Sequence, residues 1–97
     1  MARLGTITHT AVNVTGTTGQ LVAANGSRRY LLLINDSDTD VYINLGAAAV
    51  AHQGILLKAS GGSFESSAAA DLLYTGAINA IHGSSGNKVV LVTEGTN

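Results

Sequence analysis

Three aspartates alternate at Asp36, Asp38 and Asp40, the spacing with which a calcium-binding loop opens. A helix-loop-helix calcium site then needs Gly at its sixth position and Glu at its twelfth. This chain has Val41 and Ala47 there, so the aspartates read as a solvated turn. His9, His52 and His82 are far apart and lack ligand spacing, and there is no cysteine, which excludes disulfides and thiolate metal sites. The way left for a histidine to bind metal or act as a proton switch is to gather one copy per subunit at a symmetry axis. Nucleophilic catalysis wants a serine on a strained elbow, and Gly61-Gly62-Ser63 and Gly83-Ser84-Ser85-Gly86 both miss the G-x-S-x-G pattern. Glu65, Asp71 and Glu94 are not spaced to bring two carboxylates together for glycoside hydrolysis. The expectation is therefore no enzyme, no catalytic residue, no cofactor and no metal. Asn13-Val14-Thr15, Asn25-Gly26-Ser27 and Asn35-Asp36-Ser37 match the N-glycosylation pattern, as a chain rich in Asn, Ser and Thr will do by composition.

The elements carrying these residues read as strands. Residues 7–14 alternate imperfectly, 28–35 are dense in Leu and Ile, and 41–45 place Val41, Ile43 and Leu45 on one face with Tyr42 and Asn44 opposite. Further strands are expected at 20–23, 54–58, 63–65, 77–82 and 88–93, each bounded by Gly, Ser, Asn or Asp. Asn25-Gly26 offers the positive φ values of a tight reversal. The polar stretch 35–40 predicts a hairpin over 28–45, and 84–87 predict a second one pairing 77–82 with 88–93. Residues 47–51 and 66–73 have helical composition but are too short to stand alone, and read as connections. About eight short strands at regular spacing imply an all-β, antiparallel β-sandwich or jelly roll, with residues 1–97 forming a single domain.

Composition bounds the function. Charged residues make up 11% of the 97 residues, against roughly a quarter in ordinary soluble domains. Charge keeps a folded surface soluble, so such scarcity implies an exterior that neighbours cover. The net charge of −1, with Arg3, Arg28, Arg29, Lys58 and Lys88 as the cations, argues against nucleic acid, which needs a basic stripe. The longest strongly apolar run, 31–34, is far below the roughly 20 residues that span a bilayer, so no membrane partner is expected. Residues 1–10 lack the continuous apolar stretch of a secretory signal.

Residues 21–35 (LVAANGSRRYLLLIN) and 37–46 (SDTDVYINLG) resemble a recurrent small virion protein of tailed bacteriophages. The likeness continues through Gly54-Ile55-Leu56-Leu57, Gly61-Gly62-Ser63-Phe64-Glu65 and 74–81 (YTGAINAI). It covers most of the chain, which departs from the pattern in having no proline before Gly61. The resemblance implies a β-sandwich module made in the host cytoplasm and attached to the virion as a capsid cement or decoration subunit. Its partners would be the major capsid protein, on the outer capsid surface, and copies of itself. A homotrimer suits the threefold positions of a capsid lattice.

The contacts of such a subunit are expected from the uncharged polar and small residues of 6–18 and 47–52, with Arg28 and Arg29 making charge-assisted bonds. The named interface set is Thr10, Thr15, Thr17, Arg28, Arg29, Val50 and His52. The same Gly- and Thr-rich segments also read as ordinary connections. Two other classes of function stand beside the cement reading: a tail or head-fibre component contacting host glycans, and an unrelated carbohydrate-binding sandwich. Both want exposed aromatic platforms, and the aromatics are confined to Phe64, Tyr30, Tyr42 and Tyr74.

Overall fold

Alternating side chains give each strand one apolar face, and two sheets must bury those faces against each other. The computed structural model, which describes residues 4–69 and 72–97, solves this with eight antiparallel strands. Arg3 and Asp71, named above, lie outside the described residues. In chain order the strands are β1 (Thr6–Val14), β2 (Gly19–Val22), β3 (Arg28–Asn35), β4 (Val41–Leu45), β5 (Ile55–Leu57), β6 (Ser63–Ser67), β7 (Ile78–His82) and β8 (Lys88–Thr96). One sheet has the order β1-β8-β3-β6 and the other β2-β7-β4-β5. The first strand therefore pairs with the last, the second with the seventh, the third with the sixth and the fourth with the fifth. That is one long antiparallel ribbon rolled into a double sheet, the connectivity of a jelly roll.

The two predicted hairpins are corrected by this topology. β3 and β4 lie in different sheets, as do β7 and β8, so both polar connections are arches that carry the chain across the sandwich. Buried side chains stand in for the ladder bonds a hairpin would supply. At the first arch Asn35, fully buried, donates from Nδ2 to the carbonyls of Thr39 (2.8 Å) and Leu57 (2.9 Å) and accepts from Ser37 Oγ (2.7 Å). At the second, His82 donates from Nε2 to Gly86 O (2.8 Å) and accepts from the Ser84 amide at Nδ1 (3.0 Å). Asn25-Gly26 also serves an arch, from β2 to β3, without a positive φ at either residue. It closes instead through Arg28 N–H to Asn25 O (3.1 Å) and Ser27 N–H to Asn25 Oδ1 (3.0 Å). Among the described residues neither 47–51 nor 66–73 is helical; Ser66 and Ser67 end β6. The turn before Gly62, made without proline, uses Ser60 (φ 62) and Gly61 (φ 118).

The core lies between the sheets. Leu31, Leu33, Val90 and Val92 face Leu21, Val41, Ile43, Leu57 and Ile78, with Phe64 packed against them. Connections 15–18, 36–40, 58–62 and 83–87 gather at one end, tied by Asp36 N–H to Val89 O, Ser60 N–H to Ser37 O and His82 N–H to Thr15 O. Connections 23–27, 46–54 and 68–77 leave from the opposite end, where Asn25 N–H reaches Thr75 O and Gly46 N–H reaches Ala77 O. Among the described residues no helix is long and apolar enough to cross a membrane.

Candidate interaction surface

β1 runs nine residues, TITHTAVNV, without a charge or a proline. It pairs with β8 in unbroken register from Thr6–Thr96 to Val14–Lys88, and among the described residues no strand pairs with its other edge. Proteins ordinarily blunt such an edge with Lys, Pro, a bulge or a short strand. Here none of these devices is present.

Alternation puts Val14, Val12, Thr10, Thr8 and Thr6 on the inner face and Asn13, Ala11, His9 and Ile7 on the outer one. Only Val14 is buried and only Val12 half-buried; from Thr6 through Ala11 both faces are exposed. The inner face is open because β2, the edge strand of the opposing sheet, is four residues long and kinked by a bulge between Gln20 and Val22. The two edges meet in a cleft floored by Val12, Val14, Leu21 and Ala80 and rimmed by Asn13, Thr15, Thr17, Thr18 and Gln20.

The outer faces of the two sheets differ. Connection 46–54 folds back over β2-β7-β4-β5: Asn79 Nδ2 donates to Ala47 O (2.7 Å), Ala49 N–H to Thr18 Oγ1 (2.8 Å), and His52 sits on Tyr42 with Nδ1 2.8 Å from the hydroxyl. Among the described residues no connection covers β1-β8-β3-β6 in the same way. Its outer face presents Ile7 and Ala11 of β1, Leu91 of β8 and half-buried Tyr30, Leu32 and Ile34 of β3. Ile7 faces Gly95 across the ladder and is 52% exposed. A Cβ on Gly95 would come within 2.9 Å of the Leu4 side chain, which occupies that space.

Most of the exposed charge lies away from this region. Asp36, Asp38, Asp40, Lys58 and Lys88 all sit at the end holding connections 36–40 and 58–62. Lys88 Nζ donates to Asp38 Oδ1 (2.9 Å), Asp40 Oδ1 accepts the Ala59 amide (2.8 Å), and Lys58 lies 3.7 Å from Asp40. The bonds from Lys88 and from Thr39 hold the Asp38 carboxyl below its ordinary range. Their partners direct the carboxylates apart, and among the described residues no three His, Cys, Asp or Glu side chains form a metal-holding group. On the outer face of β1-β8-β3-β6 the charged residue is Glu65, which accepts the Tyr30 hydroxyl (2.8 Å) and pushes that phenol's pKa up, chiefly through the bond itself.

The expected interface residues separate into three places. Thr10 is exposed midway along β1, and Thr15 and Thr17 follow it on the cleft rim, where Thr15 Oγ1 bonds the Thr17 backbone (3.1 and 3.2 Å). Val50 and His52 are exposed on the connection over the other sheet, and His52 adopts a positive φ of 64°. Arg29 is half-buried, donating to Arg28 O (3.0 Å). Arg28 must be corrected: it is fully buried, with Nε on Glu94 Oε2 (2.8 Å) and its terminal nitrogens on the carbonyls of Tyr74, Gly76 and Ala23. It staples connections 23–27 and 68–77 to β8 and offers nothing to a partner. Ala11 falls within the expected segment 6–18, whereas Ile7 and Leu91 were not expected at the surface, although the alternation of β1 and β8 carried the signal that one apolar set faces outward.

The arrangement has the means to bind through backbone edge and apolar face; its hydroxyl–imidazole contacts, Thr93 Oγ1 with His9 Nδ1 (3.0 Å) and the Tyr42 hydroxyl with His52 Nδ1 (2.8 Å), lie on exposed positions of different sheets. Compared with protein-family models, with curated proteins and with solved structures, the chain finds no match.

Proposed function

We propose that the chain is a non-catalytic structural subunit of a bacteriophage virion, a capsid cement or decoration protein held on the outer head surface. The major capsid protein and further copies of the chain are its partners; nucleic acid and membranes are not. One observation carries the reading: a nine-residue edge strand without Asp, Glu, Lys or Arg, bare on both sides along most of its length, continues into a largely apolar sheet face, while most of the exposed charge, Glu65 apart, is gathered at one end. A subunit that spends its life covered can dispense with charge where it is covered. Burying that surface across neighbouring capsid proteins stabilises the shell by mass action, since the subunit binds the assembled state and not the dispersed one. Weak contacts repeated over a lattice add through avidity.

The test uses particles of the phage that encodes the chain. Purified heads should contain it in lattice-stoichiometric amounts, and heads grown without its gene should lose their genome at a lower temperature. Its absence from purified particles would overturn the proposal.

A further inference from the structure

We infer that the free edge of β1 pairs antiparallel with β1 of a second copy, joining two four-stranded sheets into one continuous sheet about a twofold axis. This deepens the assembly reading above and rests on it.

Half of the backbone N–H and C=O groups of an edge strand point away from its sheet and accept another strand as readily as water. In β1 nothing discourages this. Its ladder with β8 is unbroken over Thr6–Val14, so the edge is straight, with no bulge to turn it aside. Thr6 through Ala11 are exposed on both faces, so no side chain of the described residues lies beside the edge to block an incoming strand.

The occupant follows from charge and symmetry. An edge evolved for a different protein commonly carries charges matched to that partner. An edge that meets itself must avoid repulsion between identical side chains, and a strand without Asp, Glu, Lys or Arg satisfies that while His9 is neutral. Antiparallel pairing of one strand with its own copy is isologous and closes after two chains. A threefold ring, the arrangement that suits capsid positions, would require β1 to meet a different edge.

The available area sets the strength. At about 3.4 Å per residue nine residues extend roughly 30 Å, most of the 41 Å length of the molecule. Because β2 leaves the inner face of Thr6–Ala11 open, the paired edge is one sheet deep, about 10 Å, and the contact is about 300 Å² per partner, below the usual specific interface. The dimer should accordingly be concentration-dependent, with Ile7 and Ala11 of both copies joining the outer faces into one apolar surface.

Sedimentation analysis from micromolar to millimolar protein reads this directly. The wild type is expected to move from 9.8 kDa to twice that mass. Thr10→Lys, which places like charges at the middle of the paired edges, should weaken association at least 100-fold with an unchanged circular dichroism spectrum. Gln53→Lys, the same charge change on an exposed residue of the other sheet's covering connection, should leave it unaltered. Hydrogen exchange adds an internal check, because alternate β1 amides should gain protection only in the dimer. An oligomer indifferent to Thr10→Lys overturns the inference while leaving self-association standing. So does a trimer, and so does a monomer at every concentration; whether the chain is a virion subunit is decided by the particle experiment alone.

Discussion

Replacing the buried Arg28 by Met should be strongly destabilising. The methionine fills the space of the aliphatic stem but removes four hydrogen bonds, one to Glu94 and three to the carbonyls of Ala23, Tyr74 and Gly76. Removing one member of a buried ion pair costs about 3–5 kcal/mol, mostly through the partner left without compensation. Glu94 keeps 21% of its side-chain exposure and recovers part of its hydration, which favours the lower half of that range, about 3–4 kcal/mol. For a domain of this size each kcal/mol lowers Tm by about 4–8 °C, so the fall is roughly 12–30 °C. Urea and thermal denaturation followed by circular dichroism measure it, at one protein concentration because association shifts Tm. Glu94→Gln should cost less, about 1–2 kcal/mol, since a neutral acceptor remains. In the double variant the two losses should fall short of additivity by about 1 kcal/mol or more, the mark of a direct interaction. An Arg28→Met loss under 1 kcal/mol, or strict additivity, refutes the reasoning.

Asp38 has its carboxyl pKa lowered by Lys88 and Thr39, so its contribution is present above the unfolded value near 3.8 and fades as pH falls below it. Titration by NMR should place its midpoint below 3.8, and Lys88→Met should move it up; an unmoved midpoint contradicts the contact. Tyr30 is shifted the other way by Glu65: its contribution is complete below pH 10.0 and is lost as pH rises through the higher folded value. Ultraviolet titration should show one tyrosine ionising late, and Glu65→Gln should bring it back toward 10. Gly54 takes φ 85°, and a Cβ there would meet the carbonyl of Ile43, so Gly54→Ala should lose about 1–3 kcal/mol from backbone strain, read by urea denaturation; a neutral substitution removes the argument for that turn.

All eight strands were legible in the sequence because apolar alternation and Gly, Ser or Asn boundaries are local properties. Pairing was not legible at β3–β4 and β7–β8. A polar connection of a few residues marks a reversal, but whether the chain returns beside itself or crosses to the other sheet depends on what the buried Asn35 and His82 bond, which is set by β5 and by the 83–87 backbone. Arg28 was misplaced for a related reason. Counting back from buried Leu33 and Leu31 puts Arg29 inward, whereas the register shift between Arg28 and Tyr30 turns Arg28 inward instead. Of the interaction surface, the lack of charge was visible from composition. Its concentration on the β1 side was not, since it depends on β2 being too short to cover Thr6–Thr10 and on connection 46–54 covering the other sheet.

The central claim is that the neutral edge and the bare sheet face are hidden in the assembled particle. A cryo-electron microscopy map of that particle tests it most directly. The account predicts β1 and the outer face of β1-β8-β3-β6 against neighbouring chains, with Asp36, Asp38 and Lys58 in solvent. A map with β1 and that face in open solvent, and the charged end buried, would contradict it.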